Sequence, residues 1–388
     1  MIELRLPSFG ADMEDAEFVQ WQVQPGQALR RAEVACVVET QKGAIDVEVW
    51  QDATVARLVA EPGQRLPVGA LLAVLAEDGE DWQAVAAASA AAHLPPATPA
   101  AAPMPPATTA VVPPGTVAAA PRVSPAARRR ATELGVDLQA LAARIGTGRP
   151  LTLADIESAA ASAATAERRD GMRAAIAAAM ARSNREIPHY HLQRELVVEP
   201  ALAWLETYNA AQPPASRVLF AALLLRAVAL ALVEVPGLNG RFVDGRVEPG
   251  AGVHIAMVTS LRGGGLVIPT LHDAQALPLP QLMAALNELL LRARAGRLRS
   301  SDLAEATVTV TNLGDLGADS VHGVIYPPQL ALVGAGRIVP RAVVRDGAVV
   351  AARTVQLTLA ADHRASDGAT GARLLAALAE RLDHPEAL

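Results

Sequence analysis

The segment EVACVVETQKGAIDVEVW, residues 33–50, sets a single lysine between two strand-like runs. Residues 33–39 favour a strand and residues 40–43 a turn, after which Ile45, Val47 and Val49 alternate with Asp46 and Glu48. Lys42 therefore falls on a hairpin tip. The chain holds 33 arginines and this one lysine. Arginine serves wherever a surface needs only positive charge, so a retained lysine points to chemistry a guanidinium cannot do: a primary amine can be acylated. A chance survivor is the bland alternative, and the surroundings weigh against it. Pro25-Gly26-Gln27 recurs 37 residues later as Pro62-Gly63-Gln64. Leu29, Val34, Val37 and Val38 after the first copy match Leu66, Leu71, Val74 and Leu75 after the second. Two similar halves flank one exposed lysine. Cys36, in strand-like sequence, reads as a small packed hydrophobe.

On these residues the stretch 1–77 resembles the lipoyl domains, flattened all-β barrel-sandwiches of two quasi-symmetric halves. The resemblance implies lipoate attached covalently to Lys42. Biotinyl domains carry Met on both sides of their lysine, whereas Gln41 and Gly43 stand here, so a lipoyl group is favoured over biotin.

At 388 residues the chain is long enough for two or three folded units. A net charge of -6 argues against a general nucleic-acid binder, which needs a basic surface. One cysteine excludes an internal disulfide. The opening MIELRLPSFG lacks a secretory pattern, and a cytoplasmic location is expected. The longest apolar run, AALLLRAVALALVEV from Ala221, is interrupted by Arg226 and Glu234 and reads as a buried core helix, with no membrane partner.

Residues 78–121 read as a linker, nearly all Ala and Pro from about Ala86 onward, a composition unable to form a packed core. At roughly 3.1 Å per residue it could reach on the order of 100 Å. Order returns over residues 122–159. Ser124-Pro125 opens a helix as N-cap and first residue, Gly135 ends it, Asp137 caps a short turn, and a last helix starts near Thr152. So small a unit is marginal alone and suits a binding role. SPAARRRATELGVDL and the Gly146-Thr147-Gly148 loop resemble the peripheral-subunit-binding domain of the same enzyme family, although the loop after Gly148 is shorter than usual. The resemblance implies dihydrolipoamide dehydrogenase or a 2-oxo acid decarboxylase as partner, with Arg128, Arg129 and Arg130 facing an acidic surface. As a solvated helix face the three arginines need no partner. A second, Ala-rich linker is expected over residues 160–169.

Residues 170–388 alternate helical and strand-like segments and read as an α/β domain. Arg173, Ile176, Met180 and Ser183 share a helix, Ile187-Pro188-His189-Tyr190 leads into a strand, and residues 307–311 form a strand ending at Asn312-Leu313-Gly314. The chemical centre is Asp362-His363-Arg364-Ala365-Ser366-Asp367-Gly368, a turn between the strand of residues 355–359 and a helix. An imidazole there suits a general base near neutral pH, and a hydroxyl aimed at a developing oxyanion lowers the barrier of thioester exchange. With MRAAIAAAMARSNREIPHYHL, TVTVTNLG and YPPQLALVGAG in order, the segment resembles the acyltransferase domain of 2-oxo acid dehydrogenase complexes, whose fold is that of chloramphenicol acetyltransferase.

That resemblance implies acyl transfer, with acetyl favoured, from S-acyl-dihydrolipoyl-lysine to coenzyme A. His363 becomes the base for the coenzyme A thiol, Thr311 the oxyanion hydroxyl, and Asp367 a loop anchor acting through Arg173. It also implies trimers with active sites between subunits. The chain closes on His384-Pro385-Glu386-Ala387-Leu388 without a longer apolar tail, so a homotrimer is expected, and a larger core stays open. Succinyl, branched-chain and acetoin-derived transfer stay open too, as do a non-catalytic lipoylated scaffold and a biotin carrier. His189 and His191 lack a third metal ligand at a recognisable spacing. Gly263-Gly264-Gly265 has no phosphate-loop lysine and reads as a turn, and Gly334-Ala335-Gly336 lacks the third glycine of a dinucleotide site.

Overall fold

A computed structural model describes residues 1–9, 13, 15–40, 43–92, 122–146, 149–260, 266–304 and 306–388. Lys42, the 263–265 glycine run and most of the first linker lie outside the described residues, as do Thr147 and Gly148. The chain divides into two compact units, residues 1–86 with 172–388, and residues 87–171.

The alternating N-terminal sequence folds as two facing sheets. One has the order Ile2–Arg5, Leu71–Ala76, Ala53–Leu58, Ala28–Leu29. The other runs Gly43–Glu48, Val34–Thr40, Asp15–Trp21, Arg65–Pro67. Leu4, Phe18, Cys36, Val38, Ile45, Val47 and Leu72 are buried in the core they share. The Pro-Gly-Gln repeat is a repeated turn. Gly26 and Gly63 take φ of +85° and +83°, open to glycine without strain. Their N–H groups donate to Val55 O and Phe18 O, both at 2.7 Å. The following glutamines close the turns, Gln27 Oε1 accepting from Gln24 N at 3.1 Å and Gln64 Oε1 from Glu61 N at 3.2 Å.

The small unit forms around Ala127, Ala131, Leu141, Leu151 and Ile156. Ser124 caps helix Pro125–Glu133 by accepting from Ala127 N, and Asp137 caps Leu138–Ile145 by accepting from Gln139 N and Ala140 N. Thr152 and Asp155 form a reciprocal cap at the start of Leu153–Glu186, and Arg149 grips the same carboxylate at 2.6 and 2.7 Å.

Two segments read as linkers are helical where described. Trp82–Ala92 forms a helix, and Leu153–Glu186 runs unbroken through residues 160–169. Alanine costs least to place in a helix, so Ala-rich sequence without proline becomes one once a neighbouring turn nucleates it.

The α/β domain is built on a mixed sheet ordered Thr270–Leu271, Ile255–Met257, Val308–Asn312, Ala331–Ala335, Ala348–Asp362, Val339–Arg345, with His189–Val197 also pairing with Ala348–Asp362. Helices Phe220–Glu234, Leu279–Ala295 and Gly368–Asp383 contribute the apolar faces of its core. Among the described residues only Pro214–Glu234 is long and apolar enough to cross a membrane. Its Leu223, Leu224, Val228 and Leu232 are instead buried in that core, as expected for the run from Ala221.

Candidate active site

The strand Ala348–Asp362 ends under the loop that carries His363. Asp362 is completely buried, and an unpaired carboxylate there would be costly. Arg364 supplies the counter-charge: Nη2 donates to Oδ2 at 2.7 Å, and Nε donates to Oδ1 and Oδ2 at 3.0 and 3.1 Å. The Arg364 backbone N–H adds a bond at 2.9 Å, and its guanidinium lies 3.9 Å over the Phe242 ring. A two-residue staple therefore spans His363.

His363 itself is exposed. Its backbone N–H donates to Pro188 O at 3.0 Å, and Tyr190 meets its ring edge-on at 5.1 Å. The Ser366 hydroxyl donates to Asp362 O at 3.2 Å and so accepts from Tyr190 Oη at 3.0 Å. Burial raises the Tyr190 phenol above its ordinary value. Asp367 is the N-cap of Gly368–Asp383, its Oδ1 accepting from Thr370 N at 2.8 Å. That backbone bond, first, and then the Thr370 side chain hold the carboxyl below its usual range, and the cation that adds to them is Arg373. The cap turns Asp367 Oδ1 toward its own helix, whose next turn carries Arg373, and the expected link to Arg173 is not among its bonds within the described residues.

Thr311 is buried on strand Val308–Asn312. Its register partner is Gly334, itself opposite Thr358. A Cβ at Gly334 would stand 2.4 Å from both Thr358 Oγ1 and Val321 O, so only glycine fits beneath Thr311. Thr358 lies five residues before His363 and two strand spacings from Thr311, which separates the two expected residues by roughly 15–20 Å in one chain. The fold does not bring them together within a protomer.

Lys42 lies outside the described residues, but its hairpin does not. Thr40 and Gly43 pair across it, and Thr40 Oγ1 donates to Gly43 O at 3.0 Å. The connection is therefore the two residues Gln41-Lys42, and its primary amine fits amide attachment of a carboxylic acid such as lipoate.

His189 Nε2 accepts from Ile325 N at 3.1 Å, leaving Nδ1 to donate to Ile187 O at 2.9 Å. Both nitrogens are engaged in holding the loop, so no metal pair with His191 forms. Among the described residues no group of three His, Cys, Asp or Glu is placed to hold a metal. His191 stacks on His189 and faces His322 at 6.1 Å; burial, then its two neighbours, lower its basicity. Sequence reasoning missed His322, the Tyr190–Ser366 bond and the Asp362–Arg364 pair. The last two sat inside motifs already singled out: Tyr190 reaches Ser366 only through strand register, whereas Asp362 and Arg364 stand two residues apart in one loop.

The family described as "2-oxoacid dehydrogenases acyltransferase (catalytic domain)" matches residues 161–388. "Biotin-requiring enzyme" matches residues 2–75 and "e3 binding domain" residues 121–149. The chain is 30% identical to the dihydrolipoyllysine-residue acetyltransferase component of the pyruvate dehydrogenase complex of Rhizobium meliloti, covering 99% of this chain and 98% of that one. It is 30% identical to the protein of the same name from Staphylococcus aureus, over 100% and 98% of the two chains. A solved structure of a probable dihydrolipoamide acetyltransferase from Listeria monocytogenes superposes with a TM-score of 0.53 at 28% identity, covering 55% of this chain and 92% of that one. With its histidine loop on a mixed sheet and its lysine hairpin on a β-sandwich, the chain belongs to the 2-oxoacid dehydrogenase acyltransferase family.

Proposed function

We propose that the chain passes an acetyl group between a dihydrolipoyl arm on Lys42 and coenzyme A within a pyruvate dehydrogenase complex. Acetyl is the group named in the full-length relatives, and succinyl, branched-chain and acetoin-derived transfer are separated from it by the acyl-CoA formed. Bound to Lys42, lipoate supplies a thiol that carries the acyl group as a thioester. His363 accepts the proton of the attacking coenzyme A thiol and returns it to the departing thiol. The Thr311 hydroxyl donates to the carbonyl oxygen as negative charge gathers there. Asp362–Arg364 and Tyr190–Ser366 fix the loop so that His363 keeps its orientation, and Asp367 holds the following helix turn.

Because His363 and Thr311 lie far apart in one chain, a complete site needs a second copy facing the first. A homotrimer, alone or within a larger core, supplies that arrangement. Over residues 122–159, Arg128 and Arg129 line one shallow hollow with Val123, Pro125 and Thr132. That basic face suits an acidic surface on dihydrolipoamide dehydrogenase or the decarboxylase. A single buried cysteine is in keeping with a cytoplasmic setting.

One observation carries the reading: the only lysine of 388 residues is one of two residues between paired Thr40 and Gly43. Intact mass after expression with lipoate, with peptide mapping across Lys42, tests it. A lipoyl adduct on Lys42 is expected. An unmodified Lys42, in a host that lipoylates other proteins, would leave the acyltransferase domain without a carrier and overturn the arm.

A further inference from the structure

The sheet edge that follows Lys42 is not bare. Strand Gly43–Glu48 is flanked by Leu298–Arg299 of the α/β domain, parallel to it, with Ile45 opposite Leu298 and Asp46 opposite Arg299. Ser300 N donates to Asp46 O at 2.8 Å, and Glu48 N donates to Ser300 Oγ at 3.1 Å. The Glu48 side chain is 6% exposed, and its carboxylate accepts from Ser301 Oγ at 2.5 Å and Arg299 Nη1 at 3.4 Å. Leu303 packs against the cores of both domains.

The strip on the α/β side is braced for this contact. Buried Asp302 accepts from Arg292 Nε and Nη2 at 2.9 and 2.6 Å and from Arg299 N at 2.9 Å, which fixes the turn that presents Ser300 and Ser301. His272 Nε2 bonds Ser301 O at 2.7 Å from the other side. An open strand edge invites pairing with any chain, and a charged residue on it restricts the choice. Glu48 is such a residue: a partner must offer donors where it lands, or the carboxylate is buried unpaired.

From this geometry we infer that residues 298–303 form a docking strip for the lysine-bearing domain of this same polypeptide, recognised by strand addition to Gly43–Glu48 and by the Glu48 carboxylate. The inference rests on the acyl-transfer reading for its purpose. The ladder is only two residue pairs long, and its groups are polar, so water can replace every bond on release. Such a contact parks a carrier without trapping it. The strip also leads into strand Val308–Asn312, which bears Thr311, while the strand it holds begins one residue after Lys42.

The test uses the full lipoylated chain and three variants: Arg299→Glu, Glu48→Arg, which keeps Lys42 the only lysine, and the two combined. Hydrogen exchange of the Ser300 and Glu48 amides reads docking directly. Each single variant is expected to speed their exchange about tenfold, the scale of one lost charge-assisted bond, and the exchanged pair to restore protection. Acyl transfer from the attached arm should slow by a similar factor in the single variants, with transfer to free dihydrolipoamide within about twofold of wild type. Unchanged exchange in both single variants would overturn the docking strip. A wild-type chain inert toward free dihydrolipoamide would overturn the acyl-transfer reading instead, with exchange still deciding whether the strip docks.

Discussion

Replacing Arg364 with methionine keeps an apolar stem over Phe242 and removes the cation that, among the described residues, is alone in pairing with Asp362. The carboxylate is completely buried, and of its bonds only the one from the Arg364 backbone N–H survives the change. Breaking a buried pair from one side costs about 3–5 kcal/mol, because the remaining charge is left uncompensated. The Arg364 side chain is 31% exposed, so water enters the gap and the lower end, about 3 kcal/mol, is expected. For a domain of this size each kcal/mol shifts the melting temperature by roughly 2–4 °C, so the α/β transition should fall by about 10 °C in calorimetry. Asp362→Asn combined with Arg364→Met removes the stranded charge and should recover more than half of the loss. A fall of under about 2 °C for Arg364→Met, or a double variant as damaged as the single one, would refute the view that this pair anchors the histidine loop.

Two further outcomes follow from the electrostatics. Burial pushes the Cys36 thiol up to about 12, so iodoacetamide at pH 8 should leave the native chain unmodified and label it fully in denaturant. Labelling of the native chain at the rate of a free thiol would contradict the packing of that strand. In the small unit, the Arg149 guanidinium beside Asp155, followed by bonds from Thr152, holds the carboxyl well below the usual aspartate range. A depressed native value stabilises above the unfolded value near 4 and is lost as pH falls through the native one. Asp155→Asn should therefore increase amide exchange in residues 122–146 at pH 7, with the gap from wild type closing below about pH 4. A gap that persists unchanged at pH 3 would assign the effect to packing rather than charge.

The parts legible in the sequence were those set by local rules. The period-two alternation of residues 33–49 became the strands Val34–Thr40 and Gly43–Glu48, and the Pro-Gly-Gln repeat became two turns with matching bonds. Ser124, Asp137 and the strand–turn–helix around His363 were readable because capping and turn chemistry depend on nearest neighbours. What stayed hidden depends on register between distant strands. Tyr190 meets Ser366 because His189–Val197 pairs with Ala348–Asp362, and Glu48 meets Ser301 across some 250 residues. That Asp367 caps the following helix through Thr370 N follows from local turn chemistry, whereas a partner for its second oxygen does not. The Ala-rich joint at residues 160–169 is helical, a form that composition alone does not separate from extended chain.

The central claim is that His363 moves the proton in thioester exchange. The direct measurement is the rate of acetyl transfer from acetyl-CoA to free dihydrolipoamide by the full chain and by His363→Ala, with hydrogen exchange confirming that the variant is folded. The wild type should form S-acetyl-dihydrolipoamide, and the variant should be slower by roughly 10²–10⁴-fold, the range for loss of a positioned general base. A folded His363→Ala chain that transfers acetyl at the wild-type rate would contradict the account.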